Sequence, residues 1–336
     1  MSVPNPHDFA VIIGINDYHY PNKSLTSPVD DARAISEWLQ DHEGGGLHKD
    51  NCKVVLGTED DTADQVVIEN QLIEAKKFAK LLNDKNKKAR RLYFYFSGHG
   101  VSKDTEVLMC HALWSVDRPN ATLNADELEK KYINPCTLFD EVVIWLDCCR
   151  SRSLITHSGS FQIGCSSPCS SANTQKTMFA YATLDHTEAY EALNESSDYS
   201  IFTQALLTGL KYGMNNGSAN ISWRSLKKYL EEYVPQIAAQ NGTSQTPQIT
   251  FPRLTTKDDP IFCKALVPTV RIIFNVKVGT VDILEGINLT SVLTHDLLDG
   301  VLEAELPYGK YIAFHGNKKQ VIDISGEQGE INVQFD

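Results

Sequence analysis

The chain has 336 residues, a net charge of −12 and eight cysteines, long enough for two domains or for one large domain with a small one. Hydrophobic residues make up 42% and charged residues 22%, close to globular averages, which argues against disordered and fibrous classes. The acidic balance argues against a general nucleic-acid binder, because such a protein needs an excess of Lys and Arg to displace counterions from phosphate.

The opening MSVPNPHDFAVIIGIN has no basic leader and only a short apolar run, so it does not read as a secretory signal. No apolar stretch approaches the roughly 18–20 residues that cross a membrane. A cytoplasmic protein without membrane contact is the expectation. Cysteines stay reduced in that compartment, so the eight are not a disulfide framework, and sequons such as Asn120 and Asn241 are silent. Cys165 and Cys169 lie in a Ser-rich stretch without a partner pair, and no spacing resembles a zinc site, so no metal is expected.

Strand and helix patterns alternate along the first two-thirds. Phe9–Ile15 is a continuous apolar run, as in a buried parallel strand. SPVDDARAISEWLQ follows a polar loop and reads as a helix: Ser27 can cap it, Pro28 suits its first turn, and Asp30 and Asp31 lie at the positive end of its dipole. A short strand spans Lys53–Leu56. An amphipathic helix with a basic end spans Thr62–Asp84. Strands Arg90–Phe96, Glu141–Asp147 and Thr177–Thr183 follow, then helices near Tyr199–Gly213 and Ser222–Gln240. This rhythm predicts an α/β fold with an open, mostly parallel sheet and helices on both faces. Residues 153–176 are rich in Ser, Cys, Gly and Asn and form a long loop, a length that usually signals function or disorder. Beyond Pro252 the chain changes character, and from Val267 onward it reads all-β. The expected organisation is an α/β domain over 1–265 and a small β-sandwich over 266–336.

In an open α/β sheet, ligands bind beyond the carboxyl ends of the strands. The two most polar strand ends are Ser97-Gly98-His99-Gly100 and Asp147-Cys148-Cys149-Arg150-Ser151. A thiol is a better nucleophile when an imidazole can take its proton. Side chains alternate along a strand, so Asp147 and Cys149 share a face with Cys148 opposed, and Ser97 shares a face with His99. Gly100 leaves a backbone N–H free to approach a substrate oxygen. A lone strand-end cysteine is ordinarily a buried small hydrophobe, the reading for Cys148, Cys52, Cys110, Cys136 and Cys263. His7, His19, His111, His186, His295 and His315 read as surface or capping residues. The two motifs together, each closing an apolar strand, carry the signal.

At these residues the chain resembles the caspase-like cysteine proteases, the clan of caspases, metacaspases and paracaspases. FAVIIGINDY with SPVDDA, YFYFSGHG, VVIWLDCCRS, FAYATLDHTEAYE and YSIFTQALLTGL occur in the family's order over about residues 9–215. His99 lies about 50 residues upstream of the cysteine, as in caspases, while DCCRS is closer to the metacaspase and bacterial form than to the QACRG-type motif. The resemblance implies a cysteine endopeptidase in which His99 is the base and Cys149 the nucleophile, with the backbone N–H groups of Gly100 and Cys149 holding the oxyanion. It also implies an acidic pocket for the residue before the scissile bond, formed by Asp31, Ser97 and Asp147, with Glu188 as a third acid. Carboxylates in a shielded pocket need a cationic partner, so the expected substrates are proteins or peptides cut after Arg or Lys. By family association, the chain belongs to a bacterial defence or cell-death pathway.

Calcium-dependent metacaspases carry an acidic residue shortly after the nucleophile motif. Here that stretch reads RSRSLITHSGS, so calcium dependence is not expected, and Asp104, Glu106 and Asp117 are the candidates for a site elsewhere. The 153–176 loop is bracketed by Arg152 and Lys176, which marks them as processing sites for the protein itself or an upstream activating protease. The C-terminal β segment is expected to be an immunoglobulin-like or prealbumin-like accessory module. Two other readings compete. One is a catalytically silent scaffold. The other is a thiol sensor using adjacent Cys148 and Cys149, which would need a strained eight-membered ring.

Overall fold

A computed structural model describes residues 4–20, 23–128, 138–152, 159–163, 175–191, 199–213, 219–252, 254–255, 257–286, 289–324 and 330–335. In chain order its first elements are β1 (Phe9–Ile15), α1 (Pro28–Gln40), β2 (Cys52–Gly57), α2 (Gln65–Asp84), β3 (Ala89–Ser97), β4 (Gly100–Lys103), β5 (Glu106–Cys110) and β6 (Thr122–Asn124). Next come α3 (Ala125–Glu127), β7 (Phe139–Asp147), β8 (Ser151–Arg152), β9 (Lys176–Tyr181), α4 (Ile201–Tyr212), β10 (Asn220–Ser222), α5 (Trp223–Gln240), β11 (Gln248–Thr250) and β12 (Ile261–Lys264). The last seven strands are β13 (Thr269–Phe274), β14 (Gly279–Glu285), β15 (Ser291–Leu297), β16 (Val301–Glu305), β17 (Gly309–His315), β18 (Lys318–Ile324) and β19 (Glu330–Val333).

The main sheet has the order β11-β9-β7-β3-β1-β2. Every pairing is parallel except β9 with β11, which is the predicted open, mostly parallel sheet. Strand β1 is buried along its whole length because both faces are covered. On one face, Ile12 aligns with Tyr95 and Tyr95 with Trp145, and Trp38 of α1 packs on Trp145 with ring centroids 6.3 Å apart. Gly14 permits this approach, since a Cβ there would stand 2.2 Å from the Pro28 carbonyl oxygen. On the other face, Val11, Ile13 and Ile15 pack with Ile68, Leu72 and Ala75 of α2. Each large apolar side chain buried this way contributes about 1.5–3 kcal/mol.

Helix α2 starts at Gln65, three residues later than its sequence pattern predicts, because Asp64 caps it: its Oδ1 accepts the Val67 N–H at 2.9 Å. The Ser27 side chain does not cap α1. It donates instead to Glu191 at 2.9 Å, a partner 164 residues away that sequence reading could not supply. A small sheet of order β6-β5-β4-β8 was not anticipated. Its strands run from two to five residues, too short to show a period.

The chain divides into two compact units: 1–207 with 227–260, and 208–226 with 261–336. The boundary expected at 265/266 therefore falls inside the second unit, which also takes in an earlier segment. The cause is local pairing: Ile221 of β10 lies opposite Cys263 of β12, the Leu266 N–H donates to the Lys211 carbonyl at 2.7 Å, and Tyr212 stacks on Tyr308 at 5.1 Å. The rest of this unit is the predicted small β fold, with sheets of order β16-β13-β19 and β15-β14-β17-β18 and buried Val270, Ile272, Val281, Ile283, Ala313 and Ile322. Among the described residues, no helix is long and apolar enough to cross a membrane.

Candidate active site

Ser97 and Asp147 end neighbouring parallel strands in register, so their side chains leave the same face, the one that carries α1. Beyond them lies a cavity of about 550 Å³ whose wall includes Ser97, His99, Asp147, Cys149, Glu188 and Glu191. The alternation expected at DCC holds. Cys148 is 3% exposed and belongs to the core on the α2 face, and burial pushes its thiol far above the ordinary range. Cys149 is partly exposed.

Asp31 is fully buried and sits one layer behind the cavity wall. Its Oδ2 accepts from the Ser97 hydroxyl at 2.8 Å and its Oδ1 from the Ser200 N–H at 3.0 Å. The Ser200 hydroxyl in turn donates to Asp147 Oδ2. The same oxygen accepts from Thr203 Oγ1 at 2.7 Å, and Tyr95 donates to that threonine. Ser200 therefore bridges two carboxyl groups. Burial, followed by the Asp147 charge, pushes Asp31 well above the ordinary carboxylate range. Burial pushes Asp147 up to about 6 against the opposing hydroxyl bonds.

Two further acids line the cavity, the expected Glu188 and also Glu191. Glu188 is exposed at the rim, where its Oε2 accepts from the Tyr190 hydroxyl at 3.2 Å. Glu191 is half-buried. Its Oε1 accepts from the Thr26 and Ser27 N–H groups at 2.7 and 2.6 Å and from both of their hydroxyls. Burial opposes its charge, but these bonds, led by the Ser27 N–H, hold it below the ordinary range, so Glu191 is ionised. Residues 187–190 form no regular strand, so no local period distinguishes Glu188 from Glu191; the Glu191 contacts come from the distant Thr26 and Ser27.

His99 is half-buried. Its Nε2 lies 2.6 Å from the Lys23 carbonyl oxygen. A carbonyl only accepts, so Nε2 carries the proton and Nδ1 is left as the basic nitrogen. Burial pushes the imidazole below its ordinary value, and the Lys23 bond partly offsets this. Cys149 Sγ is flanked by the Ala189 carbonyl and N–H, each at 3.4 Å. Burial pushes this thiol up, with the Glu188 and Asp147 charges adding to the effect. The resting pair is thus a thiol and a neutral imidazole. His99 and Cys149 share no hydrogen bond here, and catalytic bonds commonly tighten only when substrate is present.

Gly100 opens β4. A Cβ there would meet Cys148 Sγ and the Cys149 carbonyl oxygen, both at 2.6 Å, so glycine is needed for the two strand ends to approach. Cys110 N–H donates to the His99 carbonyl at 2.9 Å. Bonded and non-bonded pairs alternate in an antiparallel ladder. Gly100 and Met109 are the next pair, so the Gly100 N–H points out of the ladder. Arg150 fastens the facing loop: its N–H donates to the Thr187 carbonyl, it pairs with Asp185 at 3.3 Å, and its guanidinium lies 4.6 Å from the Tyr181 ring centroid.

Arg152 is exposed at the end of β8. Lys176 opens β9, in register with Glu141 and ion-paired to Asp258 at 3.2 Å, so a cut there would have to pull a residue out of the main sheet. Of the loop between them, residues 153–158 and 164–174 lie outside the described residues, as do Cys136, Cys165 and Cys169. Asp104 and Glu106 flank the β4–β5 turn, with Asp104 at φ +55°. Among the described residues, no three His, Cys, Asp or Glu side chains converge as a metal site.

The chain belongs to the caspase-domain family of peptidases: the Peptidase C14 caspase-domain model matches residues 7–258. Over 249 residues it is 25% identical to a "probable protease" of a Desulfuromonadales bacterium, a match covering 68% of this chain and 29% of that protein. Among solved structures it is similar to caspase-1 of Spodoptera frugiperda, with 17% identity, a TM-score of 0.47 and coverage of 78% of this chain and 91% of that one. It is also similar to a Geobacter sulfurreducens protein, with 15% identity, a TM-score of 0.48 and coverage of 78% and 100%.

Proposed function

We propose that this chain is a cysteine endopeptidase that cleaves proteins after Arg or Lys, using His99 and Cys149. The observation that carries the proposal is the acidic wall next to the thiol: Asp147 and Glu191 on the cavity surface, with Asp31 behind them. A guanidinium entering this space meets carboxylates away from water, where paired charges and forked hydrogen bonds are strongest. It also offsets the negative charges that hold the proton on Cys149.

The chemistry then runs in two halves. His99 Nδ1 takes the Cys149 proton as Sγ attacks the scissile carbonyl carbon, and the oxyanion forms opposite the Gly100 and Cys149 N–H groups. The imidazolium, steadied by Lys23 O, gives that proton to the departing amine, leaving a thioester. Water, deprotonated by His99, attacks the thioester, and the thiol regains its proton on release of the new carboxylate. The reaction uses no cofactor, and the reading keeps the protein in the cytoplasm, where the thiol stays reduced.

A panel of fluorogenic peptides that differ only in the residue before the scissile bond tests the proposal. Turnover of Arg and Lys peptides at least about 100-fold above an Asp peptide is expected. Turnover of the Asp peptide alone would overturn the pocket assignment. The proposal extends to processing after Arg152, the more accessible bracket of the loop. Intact mass measurement should find wild type cut there and Cys149→Ala whole, and an uncut wild type with full peptidase activity removes self-processing.

A further inference from the structure

We infer that Tyr18 is a positioning residue for His99. The inference rests on the reading of His99 as the base. Tyr18 lies on the connection between β1 and α1 that also supplies Lys23. Its hydroxyl oxygen reaches the β3–β4 turn and accepts the His99 backbone N–H at 2.8 Å. Its ring centroid is 4.8 Å from the imidazole. Trp114 closes the other side, 5.5 Å from the imidazole and 6.1 Å, edge-on, from the Tyr18 ring.

The turn is shaped around this hydroxyl. Gly98 has φ +155°, and a Cβ on it would stand 2.4 Å from Tyr18 Oη. The first glycine of SGHG therefore makes room for the phenol. Tyr18 is buried, and burial holds its proton on well beyond the ordinary phenol range, so the hydroxyl stays neutral at working pH. His99 is thus held at two points by one connection, its main chain by Tyr18 Oη and its ring by Lys23 O. Two-point fixing matters because misplacement of a reacting group by about 1 Å can cost roughly 100-fold in rate. A buried tyrosine that merely fills the core would need only its ring. Tyr18→Phe keeps that ring and removes only the oxygen.

The test follows alkylation of Cys149 by iodoacetamide at neutral pH, read by peptide mapping, in wild type, His99→Ala and Tyr18→Phe. The kcat and KM on an Arg peptide are measured alongside. Alkylation reports the His99–Cys149 pair without any assumption about substrate. His99→Ala should slow it strongly and Tyr18→Phe by about 10-fold, with kcat lowered about 10-fold and KM within about twofold. Tyr18→Phe within twofold of wild type, while His99→Ala is slow, would overturn the inference. A raised KM with unchanged kcat would also overturn it, by assigning Tyr18 to substrate binding. Unslowed alkylation in His99→Ala would remove the dyad itself, and the role of Tyr18 with it.

Discussion

Replacing Cys149 with alanine is expected to lower turnover of an Arg peptide to background, a loss of at least about 1000-fold, because no neighbouring group can form the thioester in its place. Cys148→Ala should behave differently although the two thiols are adjacent. Cys148 is 3% exposed and packs in the core on the far side of the sheet. Its loss leaves a small cavity worth about 1 kcal/mol and a melting temperature lowered by a few degrees, with turnover kept within a few-fold. Assaying both variants with His99→Ala separates the three readings of the sequence. A silent scaffold predicts no turnover in wild type. A vicinal thiol sensor predicts that both cysteine variants lose the same response. The peptidase predicts loss in Cys149→Ala and His99→Ala alone.

Much of this site was legible because strand periodicity carries it. An apolar run ending in a polar residue marks a strand end, and a period of two assigns faces. That was enough to put Asp147 on one face with Cys149 and to turn Cys148 away, while the placing of Asp147 beside Ser97 came from the family resemblance. Three features were less accessible, each for a physical reason. Asp31 looks like a helix-dipole residue, and its burial depends on Ser97 and Ser200, which reach it from distant parts of the chain. Glu191 binds the Ser27 N–H just before α1 across 164 residues, a pairing that no local pattern encodes. Tyr18 is one of several aromatics in a polar loop, and only the fold brings its hydroxyl to the His99 amide. The second unit shows the same limit. Its strands were readable one by one, but the contribution of residues 208–226 follows from the β10–β12 pairing.

Asp147→Asn is expected to damage function while stabilising the fold. Burial raises the Asp147 carboxyl from an ordinary 3.8 to about 6, so the folded protein binds a proton more tightly than the unfolded chain. The sign follows by linkage: as pH rises from about 4 through 6 the unfolded chain loses its proton first, stability falls, and the deficit persists above that range. Asparagine cannot ionise, and its carbonyl oxygen can take the place of Asp147 Oδ2, which accepts both hydroxyls, so it removes a penalty of about 3 kcal/mol at neutral pH. A melting temperature a few degrees above wild type at pH 7, and close to wild type at pH 4, is the expected result. Activity should move the other way. Binding a guanidinium needs the ionised carboxylate, so wild-type kcat/KM on an Arg peptide should climb with pH through about 6. Asp147→Asn should be lower by about 100-fold or more at neutral pH, the scale of leaving a buried cation without its partner. Calorimetric melts at the two pH values, with kcat/KM profiles on the same samples, check both halves. A variant that is less stable at pH 7 yet cleaves Arg peptides normally would show that Asp147 serves the fold through Ser200 and Thr203 and leaves the recognition of a basic side chain to Glu191.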